Sequence, residues 1–285
     1  MSRTTVKTKL LALVGVLLTL VAVGVLLLTP PADCYEPSIY GALPWYFWAA
    51  VVGAILVGTS VVVQNARSEA PDQTWLFGLG TVFVVNALLI AMPYIRGYPI
   101  YGRGDVLTHI GFIRNITEQG FVSSSNIYPN LHLLVQTLSY ATGIDPMYVI
   151  NLVPIAFSVT YFGSMALLVS KMFDRRRLVL FGWAVVAIPS LGTAFLNAVP
   201  FTMSMLFVPF VLFLFVEEQQ RNTLSVRVAL VTAIVSIVIY HPLTTLFLIV
   251  TLAFYWVAKR TRRFSREYVG PTNVASLTRV VFVAW

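Results

Sequence analysis

Charge is scarce in this chain. Only 11% of its 285 residues are Asp, Glu, Lys or Arg, while 58% are hydrophobic and the mean hydropathy is +0.82. Soluble domains carry roughly 25% charged residues, so the composition points to a chain embedded in a membrane. Cysteine is nearly missing as well. Cys34 stands alone, which excludes an intrachain disulfide and leaves the redox compartment unread. Apart from Lys171 and Arg227, each one residue in from the end of its run, the long apolar runs contain no Asp, Glu, Lys or Arg. Ionisable groups at membrane depth mark proton relays and ion paths, so their lack weighs against an ion-coupled pump.

What is present is a series of apolar runs long enough to span: 10–28, 44–63, 75–95, 148–172, 178–196 and 201–216. A hydrocarbon core of about 30 Å takes about 20 such residues as helix. The first run follows a basic start, as in a signal peptide, but exceeds the roughly 7–15 residues of an apolar signal region. It reads as an uncleaved helix. The run 226–258 is too long for one crossing and is interrupted by His241-Pro242. Proline removes an amide and disfavours helix at the preceding residue, so two short passes are expected, with a tip at Tyr240-His241. The count is about eight spans in an all-α, multi-pass bundle.

The basic residues set the orientation. With a cytoplasmic N-terminus and strict alternation, sixteen of the nineteen Lys and Arg fall on inner segments. Only Arg96, Arg103 and Arg114 fall outside. This positive-inside asymmetry accounts for the net charge of +8 without nucleic acid. Both termini are then cytoplasmic, and 96–147 becomes one large outer loop. Within it, 130–143 is amphipathic rather than spanning, with Leu131, Leu134, Val135 and Leu138 on one side and His132, Gln136 and Ser139 on the other. The loop is therefore expected to hold two interfacial helices. Aromatic residues near the outer boundary, Trp45, Tyr46, Trp48, Tyr94, Tyr98, Tyr101 and Tyr148, fit an interfacial belt. The division is 1–74 as two leading helices, 75–260 as the main membrane module, and 261–285 as a basic tail. That tail ends in an apolar stretch resembling the truncated start of another helix.

The residues suited to chemistry lie in the outer loop. Asp105 is expected to open a helix over 105–119 that Gly120 stops, which puts Asp105 and His109 on one face together with Phe112 and Ile116. Val106, Ile110 and Ile113 would form a membrane-facing stripe beside it. A carboxylate and an imidazole so placed can bind a divalent cation or share general-base work. Asp after Gly is also a favoured helix N-cap, a role compatible with catalysis. Arg96 and Arg103 flank the loop's start, where guanidinium groups can hold a lipid phosphate or snorkel to headgroups. His132 and His241 are both expected on the outer side, each equally open to a structural role. Asn115-Ile116-Thr117 is a sequon, a pattern common by chance. The Asp105/His109 spacing is a poor zinc set, and no HExxH motif of a metalloprotease occurs.

The segments GRGDVLTHIGFIRNI (102–116), GF (120–121), IYPNLHLL (127–134) and YHPLT (240–244) together resemble archaeal members of the GT-C superfamily of polytopic membrane glycosyltransferases. The resemblance covers about 75–260, through layout and one short motif. It implies a GT-C-like fold in the plasma membrane of the cell envelope, with an active site on the outer face. It further implies transfer of a sugar from a polyprenyl-phosphate donor among membrane lipids, with Asp105 as general base, His109 beside it, and Arg96, Arg103, His132 and His241 toward the substrate. A divalent cation, Mg or Mn, would sit at Asp105 and His109. Family members often carry paired acids where Arg103 and Gly104 here precede a lone Asp105, and many add a soluble C-terminal domain. A lipid-linked-sugar flippase, or a non-catalytic module that binds the lipid carrier, are the competing functions.

Overall fold

The computed structural model describes residues 3–34, 36–68, 72–98, 101, 105–186 and 195–260. Among these residues ten helices follow one another: α1 (Arg3–Leu28), α2 (Trp45–Arg67), α3 (Thr74–Ile95), α4 (Asp105–Gln119), α5 (Asn130–Thr142), α6 (Pro146–Met172), α7 (Arg176–Val186), α8 (Pro200–Arg221), α9 (Leu224–Tyr240) and α10 (Pro242–Arg260). No strand occurs among the described residues. Five of the described helices are long and apolar enough to cross a membrane: Val6–Leu28, Trp45–Arg67, Thr74–Ile95, Pro146–Met172 and Pro200–Arg221. The chain is a multi-pass helical membrane protein. A helix suits this setting because it satisfies its own peptide groups where water cannot.

Two compact units divide the chain, Met1–Tyr101 with Phe173–Leu196, and Gly102–Met172 with Asn197–Trp285. In the first, α1, α2 and α3 pack around Leu26, Phe47, Val51, Ala54, Val85 and Met92. α2 and α3 approach closely at two glycines. A Cβ on Gly78 would lie 2.6 Å from the Gly58 carbonyl oxygen, and one on Gly58 would lie 2.7 Å from that of Gly78. Without a water-driven force between helices in lipid, such backbone proximity supplies packing that larger side chains would prevent. The short helix α7 lays Leu180 and Ala184 against Val62 and Ala66. A span over 178–196 was expected here. The described helix has 11 residues, and 187–194 lie outside the described residues.

A polar latch closes one end of this unit. The Arg96 guanidinium donates to Glu36 and to the Pro30 carbonyl, the Tyr98 hydroxyl donates to Glu36, and the Ala32 amide donates to the Arg96 carbonyl at 2.9 Å. Burial, followed by the Glu36 carboxylate, pushes the Tyr98 hydroxyl up to about 12. Arg96 is only 3% exposed. It was expected to reach headgroups or a lipid phosphate, but it turns inward. A guanidinium removed from water needs a carboxylate and hydrogen bonds to offset desolvation, and the α1–α2 connection supplies both.

In the second unit, α8, α9 and α10 share a core of Val211, Leu214, Phe215, Leu230, Ile234, Ile237, Leu248 and Leu252. Phe157 of α6 meets Phe207 of α8 at 6.1 Å, and Lys171 pairs with Glu217 at 2.6 Å. The expected break in the late apolar run is present. His241 is extended (φ −164, ψ 124) between α9 and α10, and Ser204 and Thr244 share a buried hydrogen bond of 2.6 Å just beyond it. The two loop helices also lie where expected. Gly120 and Gly143 follow α4 and α5 at φ +75 and +72, a left-handed conformation that glycine adopts without a Cβ penalty.

The Gly58–Gly78 crossing generates a stability prediction. Gly78→Ala places a methyl against backbone that no side-chain rotation can relieve, so α2 and α3 must separate. Overpacking of this kind costs about 1–3 kcal/mol. Thermal unfolding of the purified variant in detergent should show a lowered midpoint; an unchanged midpoint would contradict the crossing.

Candidate functional site

The site forms where α4 meets α5, and it begins with Asp105. Asp105 is exposed in the first turn of α4, where a carboxylate faces the positive end of the helix dipole. The residue that would cap this helix, Gly104, lies outside the described residues, as does Arg103. One turn along is His109, 9% exposed, whose Nδ1 lies 3.0 Å from Nε2 of His132 on α5. The two rings are 5.1 Å apart and tilted by 33°, and Phe112 lies 5.3 Å from the His132 ring. A second bond joins the helices further along: the Thr117 hydroxyl is 3.0 Å from the Gln136 side-chain oxygen.

These contacts overturn the expected faces. Val106 and Ile113, expected toward the membrane, are buried beside His109 and Ile116. On α5 the buried set is Leu131, His132, Val135 and Gln136, while Leu138 is exposed. The expected polar side of α5 thus faces inward in part. Buried polar groups need partners, and each helix provides them to the other across a shared seam. Leu107, at 62% exposure, faces outward beside the exposed Thr108, Arg114, Asn115 and Glu118.

Burial disfavours the charged imidazole. It holds His132 down to about 4, with the neighbouring His109 adding to the effect. His109 is also lowered by burial, against a smaller upward pull from Asp105. At neutral pH the pair is therefore uncharged. One N–H lies between the rings, and the tautomers differ in which ring donates it. His132 Nδ1 is buried without a hydrogen-bond partner. No hydrogen bond between Asp105 and His109 occurs; their coupling is electrostatic.

His241 reaches the same loop by another contact. Its ring stacks on Tyr128 at 4.8 Å and meets Phe201 at 5.2 Å edge-on. The structure therefore brings His109 and His132 together, and puts His241 on the segment that leads into α5. Arg96 belongs to the latch of the other unit. Sequence reasoning missed Tyr128, the Thr117–Gln136 bond, and Asn126, which is buried with both side-chain amide atoms unpartnered. The i,i+4 spacing of His132 and Gln136 was the available signal for the seam. Among the described residues no three His, Cys, Asp or Glu side chains gather to hold a metal ion.

No family model, curated protein or solved structure matches this chain.

The histidine pair generates a pH prediction. Both folded-state values lie below the ordinary histidine range, so the unfolded chain binds more protons in the acidic window. Stability from the neutral pair is fully present above about pH 6.5 and falls as pH drops toward about 4. His132→Gln should flatten this part of the profile, as read by thermal unfolding between those limits. An unaltered slope would contradict a buried neutral His132.

Proposed function

We propose that this chain is a GT-C-like membrane glycosyltransferase, moving a sugar from a polyprenyl-phosphate donor to an acceptor at the outer face of the plasma membrane. The observation that carries the reading is an exposed carboxylate, Asp105, one helical turn from a buried and neutral imidazole pair. In this role Asp105 accepts the proton of the acceptor hydroxyl while that oxygen attacks the anomeric carbon. The bond from anomeric carbon to phosphate oxygen breaks, and the lipid phosphate leaves with the electron pair. His109 lies on the same helix with an uncharged ring, so it adds no positive charge to trap the carboxylate as an ion pair. A divalent cation here would be held by Asp105 and by Nε2 of His109, whose Nδ1 is engaged with His132. No step is assigned to a metal.

The proposed topology has eight passes, both termini in the cytoplasm and 96–147 outside. Its support is the sixteen-to-three division of basic residues, together with the break at His241 that makes two arms of the last run. After removal of Cys34, a cysteine introduced at Ser124 should react with an impermeant thiol reagent from the outer side. Reaction only from the cytoplasmic side would refute the arrangement.

The catalytic assignment is tested by Asp105→Asn. The amide keeps the size of the side chain and removes its basicity, and general-base catalysis is worth roughly 10²–10⁴ in rate. Sugar transfer from a polyprenyl-phosphate donor should fall by about that factor, with expression and unfolding temperature unchanged. Transfer at the unmodified rate would leave Asp105 as a helix-terminal residue only.

A further inference from the structure

The end of the first unit opposite the Arg96 latch gathers positive charge in a way that neither the fold nor the proposed chemistry uses. Arg67, the last residue of α2, holds its guanidinium carbon 6.0 Å from the centre of the Phe181 ring on α7. Arg177, in the first turn of α7, holds its own 5.7 Å from the same centre. Both are exposed, and neither forms an ion pair among the described residues. Two guanidinium groups beside one ring concentrate positive charge that an anion would complement.

Among the described residues, no acid forms an ion pair with either group. Asp72 Oδ1 accepts from the Asn65 side chain at 2.6 Å and from the Thr74 amide at 2.9 Å, and the Thr74 side chain, followed by its amide and Asn65, holds the carboxyl below the usual range against the effect of burial. Asp174 is exposed and makes no ion pair among the described residues. Arg176 is committed to Asn65 at 2.8 Å and to the Asp72 carbonyl at 3.3 Å. That contact fixes the start of α7 against α2 and leaves Arg67 and Arg177 outside the network. The start of α7 adds the positive end of its dipole to the same place.

The apolar surroundings indicate what kind of anion fits. Trp75 and Trp183 stand 5.0 Å apart in the adjoining cluster, and tryptophan favours the depth of lipid headgroups. Leu178 and Val185 of α7 are exposed, at 42% and 68%. A ligand that is anionic at one end and apolar along its length meets both features. We propose that Arg67, Arg177 and Phe181 form a binding site for the phosphodiester headgroup of an anionic phospholipid, with α7 lying along its acyl chains. The fork geometry of guanidinium suits phosphate oxygens, and the ring keeps both groups oriented. The site is independent of the glycosyltransferase reading.

The test uses the full chain purified in detergent, with retained lipid counted by native mass spectrometry. Phosphatidylglycerol should be retained in preference to phosphatidylcholine, and its retention should fall as salt rises. Each guanidinium near an anionic surface contributes about fivefold, so Arg67→Gln with Arg177→Gln should greatly reduce phosphatidylglycerol retention. Arg227→Gln, which removes an arginine paired with Glu218 in the other unit, should not. Unfolding temperature in phosphatidylcholine should be equal for all three proteins, and only phosphatidylglycerol should raise it, with the rise lost in the double variant. Equal retention of phosphatidylglycerol by the double variant would overturn the proposal. So would an equal thermal rise from inorganic phosphate alone, which would assign the site to a soluble anion. If the double variant unfolds, the wild-type preference and its salt dependence decide: no preference overturns the site.

Discussion

Hydrocarbon cannot hydrogen-bond a peptide group or solvate a charge, and the rest of this structure depends on that constraint. Among the described residues the long apolar runs are helical, because a helix pairs its own amides and carbonyls. The charged residues collect at helix ends and in connections, where they find partners or water. The first unit shows both results. Arg96 turns inward to Glu36 and the Pro30 carbonyl, and Asn65, Asp72 and Arg176 bind one another at the opposite end. Between these polar ends, α2 and α3 meet through two glycines, since lipid gives packed helices no advantage other than contact.

The same constraint gives α4 and α5 their arrangement. These helices are too short and too polar to span, and each turns some polar groups inward. They do so against each other, through His109 with His132 and Thr117 with Gln136. The consequence is electrostatic. A low-dielectric seam keeps both imidazoles uncharged, while Asp105, one turn away, remains exposed. An exposed acid beside a neutral hydrogen-bonding pair is the arrangement on which the catalytic proposal rests. The buried His132 Nδ1 and the Asn126 amide remain polar groups without protein partners in the same unit.

Charge placed on aromatic carbon recurs at the other pole of the chain's chemistry. Arg67 and Arg177 meet on Phe181 because α7 is short, packs its Leu180 and Ala184 against α2, and presents its first turn at the end of that helix. The sequence puts the arginines at the ends of these helices, Arg67 closing α2 and Arg177 in the first turn of α7. Their convergence on one ring is a property of packing.

The sequence by itself determined whatever depends on local backbone chemistry and bulk composition. Scarcity of charge and the length of apolar runs determined a multi-pass helical protein. Gly120 and Gly143 set the ends of α4 and α5, and His241-Pro242 set the break before α10, because a left-handed residue or a missing amide acts within one turn. The candidate acid and its histidine were legible through their i,i+4 spacing. Tertiary structure alone decided which face of each amphipathic helix is buried. A helix of mixed polarity has more than one workable rotation, and the choice depends on the surface it meets. That is why Val106 and Ile113 turned inward, and why His132 became the partner of His109. It is also why Arg96 found Glu36, a residue sixty positions earlier, through a pairing that no local period could have signalled.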